Sequence, residues 1–185
     1  MRSRRRVIAA AIVTVLALAA ASTVALALAG GAFRSRASSP NGRCSAPALP
    51  GTIVDVELAN MGGSRMMGGG MMGGTMRVVA SRQDVNAGTV SLRVANVGSL
   101  VHELVVLPLS NGDQVGSRPV GSDGKVSEDG SLGEASNTCG AGAGDGIDPG
   151  ALGWVTIDLP PGNYELVCNL PGHYASGMYT ELRVT

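Results

Sequence analysis

From residue 52 onward the apolar residues come in short runs, several alternating at period two, and no stretch after residue 30 carries the spacing of an amphipathic helix. A period of two sends successive side chains to opposite faces, so these runs read as half-buried strands. Thr52–Leu58 sets Ile53, Val54 and Val56 against Asp55 and Glu57, and Thr89–Val94 alternates in the same way. Met76–Ala80, His102–Leu107, Trp154–Leu159, Tyr164–Cys168 and Tyr179–Val184 are further β-prone runs. Asp84–Gly88 reads as a turn, Pro108 closes the run before it, and Pro160-Pro161-Gly162-Asn163 turns between two of the C-terminal strands. Seven short strands punctuated by turns predict an all-β fold, a Greek-key β-sandwich over 51–185. With aromatics at only 3%, its core must be built from Val, Leu, Ile and Ala. Residues 108–150 contain eleven glycines and little periodicity. A structureless loop of that length is unusual in a compact domain, so short strands are expected within it.

The N-terminus is of another kind. Four of the fourteen basic residues fall within the first six positions, and Val7–Ala29 then carries no charge for 23 residues. A helix of that length is ~35 Å long and crosses a hydrocarbon core of ~30 Å. The preceding arginines mark a cytoplasmic side. Residues 1–29 are therefore expected to form a hydrophobic helix, as an export signal peptide or a membrane anchor. Length favours the transmembrane anchor, and the small residues of Ala27-Leu28-Ala29 favour cleavage. Ser3-Arg4-Arg5-Arg6-Val7-Ile8 also resembles a twin-arginine export signal. Under either reading the body of the protein is extracytoplasmic, anchored to a membrane or secreted (periplasmic), and residues 30–50 are its linker. Formal net charge is zero for the whole chain, and from Gly30 onward ten basic residues face fourteen acidic ones, a balance of −4. Nothing in that distribution supports nucleic acid as a partner.

The chemistry concentrates near the C-terminus. Cys168, His173 and Met178 follow one another at five-residue intervals, C-x4-H-x4-M, between two expected strands. The chain has one other histidine, His102, at the start of an earlier strand. A thiolate, two imidazoles and a thioether match the trigonal His2Cys set with a weak axial Met that defines a type 1 (blue) copper site. Zinc would want more Cys or His, or a carboxylate, and rarely takes Met. A Cys–His nucleophile pair lacks the third group that would orient the imidazole. An oxidase would need further copper centres with open positions, which two histidines cannot supply, so the chain does not read as an enzyme.

At these residues the sequence resembles the cupredoxins, and among them the rusticyanin and sulfocyanin group. The resemblance is carried by C-x4-H-x4-M, by Leu170-Pro171-Gly172-His173 in its middle and Gly177-Met178 at its end, and by Tyr164 four residues before the Cys, which is similar to the tyrosine corner of such sandwiches. It implies a cupredoxin fold holding one type 1 copper as cofactor. Its ligands would be His102, Cys168, His173 and Met178. It also implies one-electron transfer between a redox protein donor and acceptor. His173 would sit at an apolar port lined by Leu170, Pro171, Tyr174 and Ala175. Many cupredoxins place Asn or Ser directly after the first His ligand, where this chain has Glu103. The usual side-chain link between the two ligand loops is therefore not expected.

Two features fall outside that set. Residues 61–76 gather six of the eight methionines (Met61, Met66, Met67, Met71, Met72, Met76) among seven glycines. The stretch reads as a plain insertion, as a thioether cluster for secondary Cu(I), or as an adaptable docking surface. The second reading would make the protein a copper-handling one, serving storage, delivery or tolerance. Cys44 and Cys139 remain as an even pair in an oxidising compartment, to be joined as a disulfide or left as free thiols.

Overall fold

In the computed structural model the described residues are 44–60, 76–110 and 112–185. The expected N-terminal helix, most of the linker, and Met61, Met66, Met67, Met71 and Met72 lie outside them. No helix among the described residues is long and apolar enough to cross a membrane.

The body is all β. Its strands are β1 (Thr52–Asn60), β2 (Met76–Ala80), β3 (Asp84–Val85), β4 (Gly88–Asn96), β5 (Leu104–Leu109), β6 (Gly133–Ala135), β7 (Leu152–Leu159), β8 (Gly162–Val167) and β9 (Tyr179–Val184). They form a four-stranded sheet, order β2-β1-β4-β7, and a five-stranded sheet, order β3-β9-β8-β5-β6. Both sheets are mixed, because β1 runs parallel to β4 and β3 parallel to β9. The alternating residues do what their period dictates. Val54, Val56 and Leu58 of β1 and Val90, Leu92 and Val94 of β4 point into a core shared with Leu104, Val106, Leu166 and Leu182 of the other sheet. Burying one such side chain contributes about 2 kcal/mol.

Three expectations are corrected. Asp84–Val85 is a short strand rather than part of a turn, pairing with Arg183–Val184. Strand β8 already begins at Gly162, inside the expected Pro-Pro-Gly-Asn turn. The run before Pro108 continues through it to Leu109. β6 pairs only with Leu104–Val106, so at Pro108 no neighbouring strand stands on that side to need an N–H. The Pro108 carbonyl accepts instead from the Arg118 guanidinium. A proline is tolerated in a sheet at such a locally unpaired edge.

The Gly-rich region holds β6 and several isolated bridges, and it braces the turn that follows β8. The brace centres on Glu165, which is fully buried. Its carboxylate accepts from the Gly116 N–H at 2.7 Å and the Tyr174 hydroxyl at 2.9 Å, and pairs with Arg118. The Arg118 N–H donates to the same Tyr174 oxygen. Further along, the Gly172 N–H donates to the Gly124 carbonyl, and Asn169 exchanges two hydrogen bonds with the Val126 backbone. Elsewhere, Tyr164 forms the expected corner by donating its hydroxyl to the Pro160 carbonyl at 2.7 Å. Cys44 and Cys139 are joined as a disulfide across 95 residues, with Cα atoms 5.5 Å apart.

Two outcomes are expected in urea unfolding. Glu165→Gln, which can keep its oxygen on the Gly116 N–H and the Tyr174 hydroxyl only by turning its NH2 towards the Arg118 guanidinium, lowers stability by about 2 kcal/mol. The double variant Cys44→Ser/Cys139→Ser loses up to ~4 kcal/mol by the chain-entropy argument. A midpoint unchanged in either case contradicts the role given to that contact.

Candidate metal centre

The turn after β8 is set by its own sequence. The His173 N–H donates to the Leu170 carbonyl at 2.9 Å, closing a four-residue turn over Leu170-Pro171-Gly172-His173. Gly172 has φ +81°, the left-handed value that the third position of a type II turn demands, while Pro171 supplies the fixed φ of the second. Tyr174–Ser176 then form a single 3-10 turn, ended by Gly177 at φ +97°. The Met178 N–H returns to the His173 carbonyl at 3.2 Å, and the Cys168 N–H donates to the Met178 carbonyl at 3.0 Å. The loop is thus closed on itself by backbone bonds.

His102 comes from the other side. Its N–H and carbonyl both bond to Ile147, at 3.2 and 2.7 Å, so the residue is held as an isolated bridge before β5 begins. The Glu103 N–H donates to Cys168 Sγ at 3.4 Å. The Glu103 backbone thus links the two ligand loops, and, against expectation, its carboxylate also meets the Asn169 N–H, which opposes the rise that burial gives its pKa.

His102, Cys168 and His173 come together, with ligand atoms all within 4.8 Å of one another. Cys168 Sγ stands 3.3 Å from His173 Nδ1 and 3.8 Å from His102 Nδ1, and the two Nδ1 atoms are 3.2 Å apart. Cys168, His102 and Met178 are fully buried, while His173 is partly exposed. Met178 belongs to the same buried cluster as Cys168. Met76, the one described methionine of the 61–76 stretch, packs partly buried against that cluster. Tyr174 is buried and directed at Glu165, so it does not line a surface around His173 as expected. Leu170 is partly exposed there, and Pro171 and Ala175 are exposed.

Burial disfavours charge on each of these donors. Burial, and then the nearby His173, lower the His102 imidazole to about 4. Burial also lowers His173. Both rings are neutral at pH 7 with lone pairs to give. Burial pushes the Cys168 thiol up to about 11, with the Glu103 and Leu170 N–H groups opposing the rise. A thiol so placed gives up its proton only to a positive charge in contact with it. Two imidazole nitrogens and one sulfur converging in a dry pocket, with a thioether in the closing residue of the same loop, fit one type 1 copper. They fit zinc poorly, since among the described residues no carboxylate or further Cys or His joins the three.

Several supporting residues were not legible from sequence. Asn60 reaches His102 across 42 residues and Arg118 reaches Tyr174 across 56, while Glu165 and Asn169, close to the loop in sequence, take their partners Gly116 and Val126 from 49 and 43 residues away; none carries a local pattern that announces it.

The family model for the sulfocyanin (SoxE) domain matches residues 68–185. Among solved structures, rusticyanin from Thiobacillus ferrooxidans is 21% identical with a TM-score of 0.43, over 74% of this chain and 79% of that one. Auracyanin A from Chloroflexus aurantiacus, described as a "blue" copper protein, is 16% identical with a TM-score of 0.42, over 72% of this chain and 99% of that one. No curated protein matches the chain. The family model spans more than half of the sequence, including β2 to β9 and all the donors just described, and on that ground the chain belongs to the sulfocyanin family of cupredoxins.

Proposed function

We propose that this protein is an extracytoplasmic type 1 copper protein that carries single electrons between redox protein partners, and that it is not an enzyme. The observation that carries the reading is the meeting of Cys168, His102 and His173 within 4.8 Å on two loops tied down by backbone hydrogen bonds. A type 1 copper bound there supplies one-electron redox chemistry. Cys168, His102, His173 and Met178 would hold it, the Cys168 thiolate as the strong donor and the Met178 thioether as the weak one. Because the loops are closed on themselves, the donors keep one geometry in both oxidation states, which suits a carrier. His173 is the partly exposed donor, and with Leu170, Pro171 and Ala175 around it, it forms the port for electrons. Export or anchoring by residues 1–29 puts this port outside the cytoplasm.

Titration of the full chain with Cu(II), followed by visible absorption, tests the reading. One copper per chain with an intense blue band that bleaches reversibly on reduction is the expected result. Several coppers per chain, or binding without the band, would favour a copper-handling protein that uses the methionines of 61–76. Cys168→Ser is expected to abolish the blue band while the protein stays folded; a variant that stays blue removes Cys168 from the ligand set. Met178→Leu should keep the colour and raise the reduction potential, since axial donation to Cu(II) is lost. An unchanged potential in voltammetry would exclude Met178 as the axial ligand.

A further inference from the structure

His102 has two ring nitrogens, and only one of them faces the donor cluster. Its Nδ1 looks towards Cys168 and His173, while Nε2 lies 3.0 Å from Oδ1 of Asn60. Asn60 is the last residue of β1, in the opposite sheet from β5. Its amide can be oriented by chemistry alone. The same Oδ1 receives the Ser99 N–H at 2.8 Å and the Leu100 N–H at 3.2 Å. Backbone N–H groups only donate, so the atom they face is an oxygen. The Nδ2 group on the other side donates to Ser99 Oγ at 2.9 Å. An amide oxygen only accepts, so a ring nitrogen in contact with it carries the hydrogen. His102 is thereby held as the Nε2–H tautomer with its Nδ1 lone pair directed at the site.

The surroundings are shaped for this contact. A Cβ at Gly98 would stand 2.1 Å from Asn60 Oδ1 and 3.0 Å from His102 Nε2, so no side chain fits at that position. Below the loop, the buried Asn96 donates to the carbonyls of Leu100 and Ile147 and accepts from the Gly98 N–H. Residues 97–101 are thus strung between two asparagines. One of these, Asn60, reaches the ring nitrogen of His102 that faces away from the donors, and so supplies the group orienting an imidazole that the sequence did not offer.

We propose that Asn60 is a positioning residue for the copper site: through His102 Nε2–H it selects the tautomer, aims the ring, and sets how strongly the site prefers Cu(II) over Cu(I). The proposal rests on the ligand set given under Proposed function. A hydrogen bond accepted from the far N–H of a metal-bound imidazole raises the basicity of the ligating nitrogen. A better acceptor, or a charged one, favours the higher oxidation state. Removing the acceptor does the opposite and leaves a buried N–H unpaired.

Three full-length proteins decide it: the native chain, Asn60→Leu and Asn60→Asp. In the metal-free native protein, nitrogen NMR of His102 should show Nε2 protonated and Nδ1 bare. Asn60→Leu should lose Cu(II) affinity by 10- to 100-fold and raise the reduction potential, a tenfold loss for Cu(II) alone amounting to about 59 mV in a one-electron couple. Asn60→Asp keeps an oxygen acceptor, adds charge, and should lower the potential. Opposite signs in the two variants are what a merely structural contact would not produce. An Nδ1–H tautomer in the native protein, shifts of the same sign, or no shift in either variant overturns the proposal. Should Asn60→Leu fail to fold by near-ultraviolet circular dichroism, the native tautomer and the Asn60→Asp shift still decide. A native chain that shows the expected tautomer but takes up no blue copper would count against the function reading and leave the assignment of Asn60 to His102 intact.

Discussion

The antiparallel register between β5 and β8 is the constraint from which the site follows. Val105 stands opposite Val167, so the residues just before β5 and just after β8 emerge together at one end of the sandwich. Continuing the ladder sets Cys168 against Leu104, and the Glu103 N–H reaches its sulfur. A slip of one residue would turn each side chain of a strand to the other face. The slip is opposed in β8, where it would turn the buried Glu165 away from Arg118 and Gly116 and towards the aliphatic core. Thus the placement of one buried carboxylate among aliphatic side chains fixes the separation of two donors that lie 66 residues apart in sequence.

Such a site asks the core to accept polar groups. Ser91, Asn96, His102, Glu103, Ser136, Glu165 and Asn169 are all buried. Among the described residues, no buried side-chain nitrogen or oxygen lacks a hydrogen-bond partner. Four of these residues, Asn96, His102, Glu165 and Asn169, either belong to the donor cluster or hold one of its loops. Unpaired, each would cost about 1–3 kcal/mol. Paired, they make the loops around the donors hard to displace without breaking several bonds at once. Most of the polar residues of this core thus serve the donors or their loops, whereas Ser91 is satisfied apart from them by Pro50 and Thr156.

What could be read from the sequence depended on how local its cause was. β1 and β4 announced themselves by alternation, since each buries one face. The loop from Leu170 to Met178 was legible because Pro171, Gly172 and Gly177 each answer a backbone demand within a few residues. β3 was misread because two residues carry no period, and the strand exists only through β9, about a hundred positions later. Pro108 looked like a stop because the end of β6 beside it is set by tertiary pairing. The same holds for the supports of the site. Nothing near Asn60 in sequence points to His102, and nothing near Glu165 points to Arg118, so residue type and spacing gave the donors without giving what holds them.

The disulfide also decides how the fold bears a pull. Tension arriving along the residues before Cys44 does not reach β1 as a peeling force at Thr52. It passes through the sulfur–sulfur bond to Cys139, beside β7, because the two residues are covalently one point. The 95-residue span between them cannot be drawn out while that bond stands. Under load from its N-terminal side, the protein behaves as though its first attachment were in the middle of the chain, and β1, with the asparagine at its end, is out of the line of force.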